Sequence, residues 1–307
     1  MGFRRCSMVL AAVALSATAA VATAQAVSLG EATRDNPVDV SSFKPARAGR
    51  LVGGRVIGPN EPNTAAVFFT KIFVPDGLGF FCGGSLLDAR HVLTRAGCLV
   101  QAGDVLRIGG VGIFDGLEYK VGAVANHPQW DSNGDLYDVA VLTIADPPTT
   151  EEIAAAGLVP VRLNGWEWNE EDTVKPESFT VAGFGAVDAE ATSGGSPQLK
   201  AGEQPLTPWA TCKTITDQIP VDLVIDAQIC TNMDDSGTTG LCANDMGGPL
   251  YIQYEYQGSR VNQLFGVASY WVASQEGSVC PTAGLPNVYT RVEKVRTWVW
   301  GVLQAGW

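Results

Sequence analysis

The chain has 307 residues, with 32 Asp and Glu against 20 Lys and Arg, for a formal net charge of −12. An acidic excess of this size repels phosphate backbones and anionic lipid, which excludes electrostatic binding to nucleic acid or to a membrane surface. It favours solubility and basic partners.

Residues 1–26 read as a secretory signal. Arg4 and Arg5 form the charged start, Met8 to Ala22 is largely apolar, and Ala22-Thr23-Ala24 or Ala24-Gln25-Ala26 offers small-residue cleavage sites. No later run is long and apolar enough to span a bilayer, so the expectation is a secreted, extracellular protein. Export also fixes the redox compartment. Setting aside Cys6 in the signal, six cysteines remain, Cys82, Cys98, Cys212, Cys230, Cys242 and Cys280, and an even set of six allows fifteen pairings. There is no C-x-x-C, and only His91 and His127 could assist thiolates, so neither a zinc site nor any other metal or cofactor is expected.

Residues 27–50 are polar, with a basic end at Lys44, Arg47 and Arg50, and by composition alone read as a linker. From residue 51 to 307 short apolar runs alternate with turns. Val67 to Val74, Gly83 to Leu87, Val92 to Thr94, Val139 to Thr143, Phe179 to Ala182, Leu264 to Ser269 and Asn287 to Arg291 are rich in β-branched and aromatic residues bounded by Gly, Pro, Asn and Asp. That is the pattern of strands. Only Glu293 to Leu303 has helical spacing, with Val295, Val299 and Leu303 on one face. Many short strands and one terminal helix predict an all-β barrel or sandwich.

Two local features each have a simpler reading beside the functional one. Asp131-Ser132-Asn133-Gly134-Asp135 has calcium-like spacing but no downstream glutamate, which favours a solvated turn. Trp166-Glu167-Trp168-Asn169-Glu170-Glu171-Asp172 reads as packed indoles beside solvated acids, or as a partner-contact surface.

Several motifs, in order, resemble the chymotrypsin/trypsin-like serine proteases. Phe81-Cys82-Gly83-Gly84-Ser85-Leu86-Leu87 is similar to F-C-G-G-S-L-I, and Asp138-Val139-Ala140-Val141-Leu142 to D-I-A-L-L. Val181-Ala182-Gly183-Phe184-Gly185 resembles V-x-G-W-G, and Pro286 to Val292 resembles P-G-V-Y-T-R-V. Cys242-Ala243-Asn244-Asp245-Met246-Gly247-Gly248-Pro249 resembles C-x-G-D-S-G-G-P. The resemblance implies two antiparallel six-stranded barrels with a C-terminal helix, the first over about 51–165 and the second over about 166–307. It also implies disulfides Cys82–Cys98, Cys212–Cys230 and Cys242–Cys280, and an activation site at Arg50–Leu51 ahead of Leu51-Val52-Gly53-Gly54, which makes 27–50 a pro-peptide. The amino terminus released there would pair with Asp245.

The departures from the pattern carry the functional expectation. Met246 stands where the nucleophilic serine belongs, and a thioether has no proton to give up and no oxygen to attack with. His91-Val92-Leu93-Thr94-Arg95-Ala96-Gly97-Cys98 resembles W-V-L-T-A-A-H-C, which puts Gly97 at the place of the general base. His91 lies six residues upstream, about 20 Å of strand, and His127 reads as a structural histidine in an H-P-x-Y-like turn. Of the triad positions Gly97, Asp138 and Met246, only the aspartate survives. Gly240 stands where trypsin-like members carry the aspartate that binds Lys or Arg, and Trp271 and Asn287 replace the pocket's wall glycines. Asn244 replaces the oxyanion-hole glycine, whose conformation a Cβ makes harder to reach. Loss of a triad Ser or His removes about six decades of rate, or about 8 kcal/mol.

The resulting expectation is a secreted, non-catalytic homologue that binds another protein, a secreted hydrolase or protease. The broken triad is shared with the secreted glucanase inhibitor proteins of plant pathogens, which extends the expectation to inhibition of a hydrolase such as a glucanase. The alternative is an active trypsin-like serine endopeptidase.

Overall fold

The computed structural model describes residues 54–305 apart from 59–60, 62–63, 132–135, 169–171, 173–174, 187–194, 217–223, 225, 232–238, 274–279, 281 and 283; before residue 54 it describes only the strands Ser28–Leu29 and Val38–Asp39. The signal, Arg50, Leu51 and most of the Asp131–Asp135 motif therefore lie outside the described residues.

The amino-terminal half is a closed six-stranded barrel of β1 (Phe69–Phe73), β2 (Gly79–Leu86), β3 (His91–Thr94), β4 (Val105–Ile108), β5 (Leu117–Asn126) and β6 (Ala140–Ala145). The antiparallel order is β2-β1-β4-β5-β6-β3, and β3 pairs back on β2 through Ser85–Leu93 and Leu86–Val92 to close it. Closure needs local bends. The β5–β6 ladder shifts register around Gly122, where no side chain must be accommodated, and the β1–β2 ladder shifts at Phe73.

The carboxy-terminal half is a curled half-barrel of β7 (Ser178–Gly183), β8 (Lys200–Pro205), β9 (Gln228–Thr231), β10 (Pro249–Tyr256), β11 (Ser259–Ala273) and β12 (Asn287–Arg291), ordered β9-β12-β11-β10-β7-β8. A single bridge, Leu206 to Thr231, draws its two ends together. Arg55–Val56 extends the sheet beside β8, and Arg162–Leu163 pairs in parallel with β11. The mostly-β architecture with a closing helix agrees with the fold expected from the resemblance, and the three disulfides join the cysteines in the expected pairs.

The helix α3 (Val292–Gln304) buries Val292, Val295, Val299 and Val302. Two further helices correct the expectation of one. α1 (Thr150–Ala155) is set by a capping box, in which Thr149 Oγ1 accepts the Glu152 N–H and the Glu152 carboxylate accepts the Thr149 N–H. α2 (Trp209–Thr216) is rich in threonine, which hides it from propensity, and it carries Cys212 into its disulfide. None of the described helices is long and apolar enough to cross a membrane.

One core runs through both halves, with Phe68 edge-on to Tyr251 at 5.3 Å and Phe69 against Phe184 at 5.5 Å between ring centroids. Lys71 of β1 is fully buried in it. Its ammonium donates to the carbonyls of Gly109 (2.6 Å), Asp115 (2.8 Å) and Gly112 (3.2 Å) and lies 5.4 Å from the Phe184 ring, so it ties the loop Gly109–Gly116 to the core. Desolvation brings its pKa down to about 7.

His127 is buried, stacked on Tyr137 at 4.9 Å and edge-on to Trp298 of α3 at 4.8 Å. Burial lowers its pKa below the usual 6.5. The unfolded chain thus takes up the proton first, and stability falls as pH drops below 6.5. Denaturant midpoints should fall more steeply between pH 7 and pH 5 for the parent protein than for His127→Phe; equal slopes would remove His127 as a source.

Candidate functional site

The ends of β3 and β6 and the loop before β10 meet at the junction of the two halves. Asp138 is fully buried there, with both carboxylate oxygens engaged. Oδ1 accepts the Gly97 N–H at 2.7 Å, and Oδ2 accepts the Ser269 hydroxyl at 2.6 Å and the Nε–H of Arg95. The Arg95–Asp138 pair is a buried ion pair, with side chains 2% and 0% exposed.

The guanidinium also explains the glycine. A Cβ at Gly97 would lie 2.7 Å from Arg95 Nε and 2.8 Å from Cζ and Nη2, so Arg95 occupies the space into which a side chain at 97 would grow. Neither histidine joins this cluster. His91 holds Asp88, with Nδ1 at 2.9 Å from its carboxylate, and His127 accepts the Gln129 N–H at 3.2 Å.

Met246 is fully buried and belongs to the main core. Its carbonyl accepts the Gly83 N–H at 2.8 Å, which stitches the loop to β2 across the junction. Gly247 follows at φ +77°, where a Cβ would sit 2.4 Å from the Gly83 carbonyl oxygen; glycine is required there for both reasons. Asn244 adopts φ +74°. That left-handed conformation is one that asparagine tolerates better than most residues bearing a Cβ.

Asp245 is buried and accepts the N–H groups of Gly185 at 2.7 Å and Cys242 at 3.0 Å. Burial raises its pKa to about 7 against the pull of those two N–H groups and of the Lys200 charge. Trp271 and Asn287 face each other across the β11–β12 ladder, 1% and 0% exposed, and Asn287 Oδ1 accepts the Leu241 N–H at 3.1 Å beside buried Gly240. Among the described residues, the indole N–H of Trp271 and the amide nitrogen of Asn287 make no hydrogen bond.

The tryptophan loop divides. Trp168 is buried under the Arg291 guanidinium, 4.4 Å from its ring centroid, whereas Trp166 is 41% exposed. A groove of about 620 Å³ lined by Arg55, Thr64, Thr180, Glu203 and Gln253 shares no residue with the Asp138–Met246 cluster.

Sequence reasoning passed over Arg95 and Lys200. The signal for Arg95 was present: the motif that loses its histidine at 97 also gains an arginine two positions earlier, where the pattern has alanine. The two changes exchange a large and a small side chain in one space.

The family model described as Trypsin matches residues 53–299. Among curated proteins, Trypsin 5G1 of Aedes aegypti is 30% identical over 80% of this chain and 84% of its own length. Trypsin, alkaline C of Manduca sexta is 28% identical over 83% and 91%. Phenoloxidase-activating factor 3 of Holotrichia diomphalia is 28% identical over 72% of this chain, which spans 63%, less than two thirds, of that relative.

Proposed function

The chain belongs to the trypsin family of serine proteases, and from that premise we propose that it is a secreted, non-catalytic member that acts by binding another protein, a secreted hydrolase or protease. The observation that carries the reading is Arg95, which fills the space beside Asp138 where an imidazole would have to sit. General-base catalysis needs a proton acceptor within hydrogen-bond reach of the nucleophile. A guanidinium is permanently protonated and supplies none. Met246 is consistent with this, since its buried thioether offers no nucleophile.

Supporting observations come from the pocket and the disulfides. Fully buried Trp271 and Asn287 leave the pocket walls bulky and uncharged, and Gly240 adds no carboxylate for a basic side chain. Three disulfides suit an oxidising, extracellular setting. For the partner, a hydrolase such as a glucanase and a protease are the two classes to test, and exposed Trp166 is a natural contact point.

The test is chemical. Mature protein cleaved after Arg50 should show no labelling by a fluorophosphonate probe and no hydrolysis of Lys or Arg amide substrates. Stoichiometric labelling would establish the second reading, an active endopeptidase. A pull-down against secreted proteins then identifies the partner.

A further inference from the structure

Asp245 shares its layer of the core with a lysine. Lys200 is the first residue of β8 and stands directly opposite Gly183 of β7 in an antiparallel ladder. Residues opposite one another in such a ladder send their Cβ atoms to the same face. A Cβ at Gly183 would lie 2.0 Å from Asp245 Oδ1, so this is the face that holds the carboxylate. Lys200 therefore enters the same layer, and it is fully buried, as Asp245 is.

A carboxylate and an ammonium removed from water are each costly, and each offsets part of the other's cost. We propose that Lys200 is the internal counter-ion of Asp245, which keeps the loop from Cys242 to Gly248 ordered in the uncleaved chain without any newly released amino terminus. The through-space effect of Lys200 on Asp245 acts in the required direction, against burial. Among the described residues, the titratable groups that act on or are acted on by Asp245 are Lys200 from β8 and Tyr289 from β12, whose phenol is held neutral by burial and donates to Gln204 Oε1 at 2.7 Å. On its other side Lys200 pairs with Val56.

Stability alone tests the pairing, with no partner present. The full-length chain is kept whole by Arg50→Gln, and denaturant midpoints are compared at pH 8 and pH 5. Lys200→Met should lower the midpoint at pH 8, where Asp245 is ionised, and leave it unchanged or raised at pH 5, where Asp245 is protonated. Lys200→Arg should retain the parent midpoint at pH 8. An equal loss for Lys200→Met at both pH values, or none at pH 8, would overturn the assignment. Should Lys200→Met not fold, a second variant decides: the Lys200 ammonium, followed by NMR, should titrate at lower pH in Asp245→Asn than in the parent chain, and an unchanged titration refutes the pairing.

Discussion

Gly97→His combined with Met246→Ser is expected to give a badly destabilised protein with no activated serine, and labelling should begin only when Arg95→Ala is added. A histidine at 97 starts from a Cβ that lies 2.7 to 2.8 Å from the Arg95 guanidinium, so one of the two groups must leave. If Arg95 leaves, a buried ion pair is broken at a cost of about 3–5 kcal/mol. Serine in place of fully buried Met246 adds about 2–5 kcal/mol for the lost packing. Against a total stability of about 5–15 kcal/mol, the pair of changes consumes most of what a domain has. Arg95→Ala clears the guanidinium and leaves Asp138 free to orient an imidazole. Slow fluorophosphonate labelling of the triple variant, with none of the double, is the expected pattern. Robust labelling of the double variant would mean that Arg95 does not hold the imidazole space. Turnover of Lys and Arg substrates should remain poor even in the triple variant, since Trp271 and Asn287 are untouched.

The second large effect is on stability. Asp138→Ala leaves Arg95, the Gly97 N–H and the Ser269 hydroxyl without their shared acceptor, at a cost of about 3–5 kcal/mol for the stranded charge. Arg95→Met with Asp138→Leu should recover a large part of that loss, because apolar side chains of similar volume replace a buried pair at little cost. Chemical denaturation of the single and double variants measures both quantities. A loss under about 1 kcal/mol for Asp138→Ala would reduce the pair to the level of exposed ion pairs.

Much of the fold could be read from residue order alone. Asn287 to Arg291 forms a strand with the predicted bounds, and the terminal helix differs by one residue at each end, because β-branched runs and a 3.6-residue stripe are local signals. The strands Leu117–Asn126 and Lys200–Pro205 were missed because their neighbours fix them: half-exposed, glycine-containing segments have weak intrinsic preference. In the site, the identities at 97, 138 and 246 were plain from the motifs. What fills the space at 97 was not, since Arg95 and Asp138 lie 43 residues apart and only the closed barrel brings them together. Lys200 reaches the layer of Asp245 through tertiary pairing too, by a ladder that sets it opposite Gly183.

The ammonium of Lys71, cradled by three loop carbonyls, stands where a free metal ion could otherwise be imagined. Because it is covalently tethered, it cannot be extracted by a chelator or lost on dialysis, and it needs no supply from the medium. The loop Gly109–Gly116 is in that sense self-sufficient. Its exposure is to a different variable: with a pKa of about 7, the tether gives up its charge in mildly alkaline surroundings, so proton activity does for this loop what ion concentration does for a metal-held one.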